Sequence, residues 1–368
     1  MKETWKIIIA IVITALIVGP LVYYLKPVPT APTEEVSQLQ SQISQLQSQI
    51  SQLQSEISQK DKQIKLLQDQ LATFAPGKGL RIYFVSNGRS VCDWWAEAKH
   101  GWDNMMEALG VSEYTMFFGE EDPSKEAAAF QSAIAAHPDL IVVSNAFPDV
   151  LNPLIDKALA SGIKVLQAVV ADPSIESKVP AVYFEFGEDM RQLAHYLAPM
   201  IKEKFGDRTI NVLVGAMAPD SVYAVLRKQG FLQGLEEENI KYNVDVLPLG
   251  GEPAQIVEKL KSYLMGHKVD VYMGVDCDAT DWIGPALKEL GYKPGDIIAC
   301  GADVLPHTAD AIREGYVQAV VHMGQWAMLQ FAALQAFLYA KYGYPPRNIG
   351  IPGIIVTTEN LALFEKPW

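Results

Sequence analysis

The chain is poor in cysteine and histidine and has no run of basic residues. Its three cysteines, Cys92, Cys277 and Cys300, are odd in number and widely spaced, which excludes a disulfide framework and a C-x-x-C metal site. Two readings stay open for them: a single Cys277–Cys300 pair, or three buried thiols. The six histidines stand singly, and an isolated histidine is more often a capping or surface residue than a general base. A net charge of −13 without clustered Lys and Arg excludes nucleic acid as a partner, because phosphate neutralisation needs such clusters. The motifs G-x-S-x-G, H-E-x-x-H, G-x-x-x-x-G-K-S/T and G-x-G-x-x-G are all missing, so no enzyme and no cofactor is expected.

What the chain has in quantity is apolar surface to bury. Hydrophobic residues fill 49% of its 368 positions and charged residues 20%, enough for more than one core. One uncharged apolar run, Ile7 to Leu25, is long enough to cross a bilayer. Lys2 and Lys6 precede it, which keeps residues 1–6 in the cytoplasm and places the remainder outside, with Tyr23 and Tyr24 at the far interface. The run exceeds a usual signal core and no Ala-x-Ala site follows, which favours a retained single-pass anchor over a cleaved signal peptide.

A Pro-rich spacer over residues 26–36 leads into a heptad-like repeat, Ser-Gln-Leu-Gln-Ser-Gln-Ile, across 37–72. Its apolar steps alternate four and three, from Leu39 and Ile43 through Leu46, Ile50, Leu53 and Ile57 to Ile64, Leu67 and Leu71. That period specifies a left-handed coiled coil, and Ile at a with Leu at d favours a parallel dimer; the mostly Gln flanks leave a trimer open. Such a helix reaches about 50 Å, a stalk between membrane and whatever follows. Residues 73–79 break it.

From Leu80 onward short apolar strands alternate with helix-length amphipathic segments. The strands are read at 81–86, 115–118, 140–144, 164–166, 181–186, 210–215, 269–274, 297–301 and 317–321. This is the rhythm of parallel β-α-β units, and its length fits two doubly wound lobes better than one.

Several segments carry a family resemblance. They are the opening strand with the helix from Trp94 to Gly110, Pro138-Asp-Leu-Ile-Val-Val-Ser144 with Leu154 to Val165, Arg227-Lys-Gln-Gly-Phe231, Gly301-Ala-Asp303, and Ile312-Arg-Glu-Gly-Tyr-Val-Gln-Ala319. From about Leu80 to the C-terminus the chain resembles the type I periplasmic binding proteins, the ribose-, galactose- and autoinducer-2-binding group. The resemblance implies an α/β fold of two parallel-sheet lobes, about 80–182 with 324–349 and 183–323 with 350–368. It implies a sugar-type solute in the cleft and delivery of that solute to an ABC transporter permease. One departure is that Val169 and Val170 stand where many members carry an Asp-Arg pair, which leaves the particular sugar open.

Ligands in open α/β sheets bind beyond the carboxyl ends of the strands. After the first strand come Ser86, Asn87, Arg89, Asp93, Trp94 and Trp95, offering hydrogen bonds to hydroxyls and indole faces to sugar C–H groups. Ser144, Asn145 and Phe147 follow the third strand, where helix capping is the other reading. In the second half Tyr223 and Arg227 lie one helical turn apart, with a structural ion pair as the alternative for Arg227. Asp276, Asp278 and Asp303 supply carboxylates that each accept two hydroxyls. Gln325 sits where the family chain returns to the first lobe. The spacing of Asp276, Asp278 and Asp281 does not match a calcium loop, so no metal is expected. Two other functions remain: a nucleoside receptor of the same fold, with the tryptophans stacking on a base, and a sensory receptor signalling through the stalk.

Overall fold

The computed structural model describes residues 33–73, 75–250 and 252–364. The proposed membrane span at 7–25 and most of the spacer lie outside them, and no helix among the described residues is long and apolar enough to cross a membrane. Two compact units divide near residue 74. The first contains α1, Thr33–Thr73, one uninterrupted helix of 41 residues. Leu39, Ile43, Leu46, Leu53, Ile57, Ile64 and Leu67 all stand exposed on it.

The second unit holds two six-stranded sheets, ordered β11-β5-β4-β3-β1-β2 and β12-β10-β9-β8-β6-β7. The first is built from β1 (Arg81–Ser86), β2 (Glu113–Phe118), β3 (Leu140–Val143), β4 (Lys164–Val169), β5 (Ala181–Phe184) and β11 (Ile349–Ile351). The second is built from β6 (Ile210–Ala216), β7 (Tyr242–Pro248), β8 (Val271–Gly274), β9 (Ile298–Ala302), β10 (Ala319–His322) and β12 (Ile354–Val356). Every pairing is parallel except β10 with β12. Central strands such as β3 and β8 are buried at every residue, as continuous apolar runs covered by helices on both faces must be.

The parallel sheets follow the strand rhythm of the sequence, with three strands added. β7, β11 and β12 did not announce themselves: β7 is a mostly exposed edge strand whose Asn and Asp break any apolar run, and the other two are three-residue pieces. The chain passes between sheets three times, from β5 into α5 (Phe186–Phe205), from β10 into α11 (Gln325–Tyr342), and from β11 to β12. α11 packs on α2 (Asp93–Ala108) in the first lobe, while α5 packs on α6 (Val222–Glu237) in the second. That second contact is very close, for a Cβ at Gly230 would stand 1.9 Å from the Gly187 carbonyl oxygen. Local signals start the helices: Asp122 accepts from the N–H groups of Ser124 and Lys125 ahead of α3 (Pro123–Ala135), and Ser221 accepts from Ala224 N–H at α6.

Candidate functional site

The strand ends of both sheets open onto one cavity. Asn87, Trp94, Trp95, Glu121, Val169 and Val170 wall it from the first lobe; Phe186, Tyr223, Arg227, Asp276, Cys277 and Asp303 wall it from the second. The lobes touch around its rim. Arg89 Nη1 lies 3.2 Å from Asp278 Oδ2, and Val222 N–H donates to Ala146 O at 3.1 Å.

The first wall is mostly apolar. Trp94 and Trp95 precede the first turn's end of α2, both are buried, and their rings meet edge to face with centroids 4.8 Å apart. Both line the cavity, and a Cβ at Gly88 would overlap the Trp95 indole, so its absence makes room for that ring. Val169 holds φ +69 at the end of β4, a left-handed conformation costly for a β-branched residue and frequent at ligand sites. Ser144 Oγ donates to Asn87 Oδ1 at 2.6 Å, which fixes the Asn87 side chain in the cavity wall.

The second wall is polar. Asp276 caps α8 (Cys277–Asp281), accepting from Ala279 N–H and Met217 N–H at 2.8 Å each, and burial still pushes its carboxyl up to about 7. Burial likewise raises Asp303, against the pull of the Arg227 cation, and Asp303 too has a left-handed φ of +68. Arg227 donates to Val275 O at 2.6 Å and lies over the Phe186 ring, 4.5 Å from its centroid. It serves this hydrogen bond and ring contact rather than an ion pair with Glu.

Seven of the residues picked out in the sequence thus converge: Asn87, Trp94, Trp95, Tyr223, Arg227, Asp276 and Asp303. Eight do not line the cavity, Ser86, buried at the end of β1, and Arg89, paired with Asp278, among them. Asp93 is exposed at the start of α2. Ser144 stands behind Asn87, and Asn145 donates to Asn152 and Gln167. Phe147 precedes α4 (Pro148–Ala160) and packs on the core. Asp278 is engaged by Arg89, and Gln325 Nε2 donates to Glu97 at 2.6 Å. Sequence reasoning missed Glu121, Phe186 and Cys277 as wall residues. Glu121 comes from the β2–α3 loop, where Glu120 and Glu121 both have positive φ and their N–H groups bond to Gly88 O and Asn87 O. Burial first, then the Asp276 and Asp278 carboxylates, raise its pKa well above the usual range.

The Cys277–Cys300 pairing left open by the sequence is replaced by another neighbour. Cys92 Sγ is 3.5 Å from Cys277 Sγ, while Cys300 Sγ donates to Tyr272 O inside the second sheet.

Two parallel-sheet lobes linked by three crossings and closed over one polar cavity define the class of two-lobed binding proteins. Residues 82–343 match the family described as periplasmic binding protein domain, and the chain belongs to that family. Its resemblance to the type I periplasmic binding proteins is thereby borne out. The xylose/arabinose-binding protein of Sulfolobus acidocaldarius is 28% identical over 127 residues, spanning 33% of this chain and 32% of that protein. The fold is shared with a solute-binding protein of an ABC transporter from Burkholderia graminis in complex with D-arabinose (20% identity, TM-score 0.67, 79% of this chain and 99% of that one). It is shared too with the Caulobacter myo-inositol binding protein bound to myo-inositol (18% identity, TM-score 0.69, 78% and 97%). These relatives are described as binding proteins, not as enzymes.

Proposed function

We propose that this chain is the extracytoplasmic receptor of an ABC-type uptake system and captures a neutral monosaccharide or polyol in its cleft. The observation that carries the reading is a set of buried polar atoms that the protein leaves underused around one cavity: Arg227 Nε and Glu121 Oε2 have no protein partner, and Trp94 with Asp303 and Tyr223 with Ser221 approach each other without an ordinary hydrogen bond. Buried polar groups are nearly always satisfied, so an orphaned group of donors and acceptors argues for an absent partner that supplies both. A hydroxyl does so. The apolar wall opposite suits the C–H face of a sugar ring. The ligands named for the Sulfolobus, Burkholderia and Caulobacter proteins are of this class.

On this reading the closed form is what the permease recognises, residues 7–25 anchor the chain in the membrane with residues 1–6 inside, and the exposed apolar seam of α1 joins copies as a parallel coiled coil. Anchoring beside the permease raises the local receptor concentration. The test is thermal unfolding of the 368-residue chain with D-xylose, L-arabinose, D-arabinose, myo-inositol, D-glucose, maltose, adenosine and L-leucine. A true solute at a hundredfold excess over its Kd adds about 2.7 kcal/mol. A rise with one monosaccharide or polyol supports the proposal; a rise with adenosine alone moves the chain to the nucleoside receptors, and no rise with any removes the sugar reading.

A further inference from the structure

Cys92 and Cys277 belong to different lobes. Cys92 ends the loop from β1 and immediately precedes α2, and Cys277 is the first residue of α8. Their Sγ atoms are 3.5 Å apart across 185 residues of sequence. Cys277 also lines the cavity, and the interlobe contact of Arg89 with Asp278 runs beside the pair. The sulfurs can meet only while the lobes are together, so their contact reports closure.

We infer that Cys92 and Cys277 are a redox latch, a dithiol that a disulfide-type oxidant converts to an interlobe disulfide holding the cleft shut over its solute. The step balances in two exchanges. The Cys277 thiolate attacks one sulfur of the oxidant R–S–S–R, breaking that S–S bond and releasing R–S⁻. Cys92, deprotonated, then attacks the Cys277 sulfur of the mixed disulfide and releases the second R–S⁻. Two protein thiols lose two protons and two electrons, and the oxidant becomes two R–SH.

The surroundings set the order of events. Its contact with the Cys92 thiol, then burial, raise the Cys277 thiol in the closed cleft, so the attacking thiolate forms where opening admits water. Closure then delivers Cys92 to the mixed disulfide. The two sulfurs and an Asp278 carboxylate oxygen lie within 4.8 Å of one another, a set a thiophilic cation also uses. The Arg89 guanidinium already occupies that carboxylate at 3.2 Å, which disfavours a second cation and leaves the sulfur pair.

The latch goes beyond the proposed function and rests on lobe closure alone, so its test needs no solute. The 368-residue protein is treated with glutathione disulfide, denatured, titrated for thiols and mapped by peptide mass. Free thiols are expected to fall from three to one, with a linked peptide joining Cys92 and Cys277, Cys300 unmodified, and full reversal by dithiothreitol. Cys92→Ser and Cys277→Ser, on opposite lobes and checked for folding by circular dichroism, should each abolish the linked peptide. Three thiols persisting under excess oxidant, or a link that includes Cys300, would overturn the latch. So would one Zn2+ retained per chain with both thiols protected, which would assign a cation site instead. A negative sugar screen leaves this result readable.

Discussion

Asp303 and Tyr223 show what a ligand site looks like before the ligand arrives. Each is buried, each lines the cavity, and each has a polar atom that makes no ordinary hydrogen bond within the protein. Asp303→Ala is expected to weaken solute binding about a hundredfold, since hydrogen bonds to a charged group contribute about 1.5–3 kcal/mol; isothermal titration reads it. Tyr223→Phe should cost about tenfold in affinity while leaving the ligand-free protein as stable or slightly more so, because its hydroxyl is unsatisfied when the cleft is empty. Asp276 supplies the pH dependence. Burial raises it to about 7, so near neutrality it is partly protonated, whereas hydroxyl donors of a solute favour the carboxylate. Binding should therefore release protons and tighten as pH rises from 6 to 8, seen as a buffer-dependent titration enthalpy. The same raised value makes the empty protein lose stability as pH climbs from the ordinary aspartate range toward 7, because there the folded state holds a proton that the unfolded chain has released.

At the scale of elements, glycine placement decides how closely helices meet. The Arg227-Lys-Gln-Gly230-Phe231 segment can be read in the sequence as a family motif, yet its physical reason is visible only in the packing of α6 against the start of α5, where Gly230 meets the Gly187 backbone. Gly230→Ala is expected to destabilise the second lobe by about 1–3 kcal/mol, measured by denaturant unfolding, because backbone and not a flexible side chain stands in the way. The long α1 answers to a different pattern. Leu46 and Leu53 are more than half exposed on a helix with no packed core of its own. Changing both to Asn should shift the chain toward monomer in sedimentation equilibrium if the seam joins copies, and should leave solute affinity unchanged.

On the scale of the whole molecule, Arg89 ties the first lobe to the second through Asp278. Asp278 is largely buried, at 14% exposure, so removing Arg89 leaves its carboxylate without that cation, whereas Arg89 also reaches Glu252 at 3.6 Å. Arg89→Ala should bias the ligand-free protein toward the open state, enlarging the radius of gyration in small-angle scattering and lowering apparent affinity in proportion to the closed fraction lost.

The sequence by itself determined the parallel α/β class and the loops from which the site is drawn. Alternating apolar runs and helix-length segments report burial on both faces of a sheet, and that burial is a local property of each segment. It also placed Trp94, Trp95, Asp276 and Asp303 as candidates, because residues after strand ends converge by topology. Only the tertiary structure decided which candidates face the cavity and which hold their neighbours in place. Ser144 and Asn145 read like ligand residues but orient Asn87 and tie the loops, while Glu121 reaches the site through a left-handed turn that no spacing announces. The nearest partner of Cys277 was likewise settled by the meeting of two lobes, since a contact between residues 185 apart depends on how the cleft closes and leaves no local pattern in the chain.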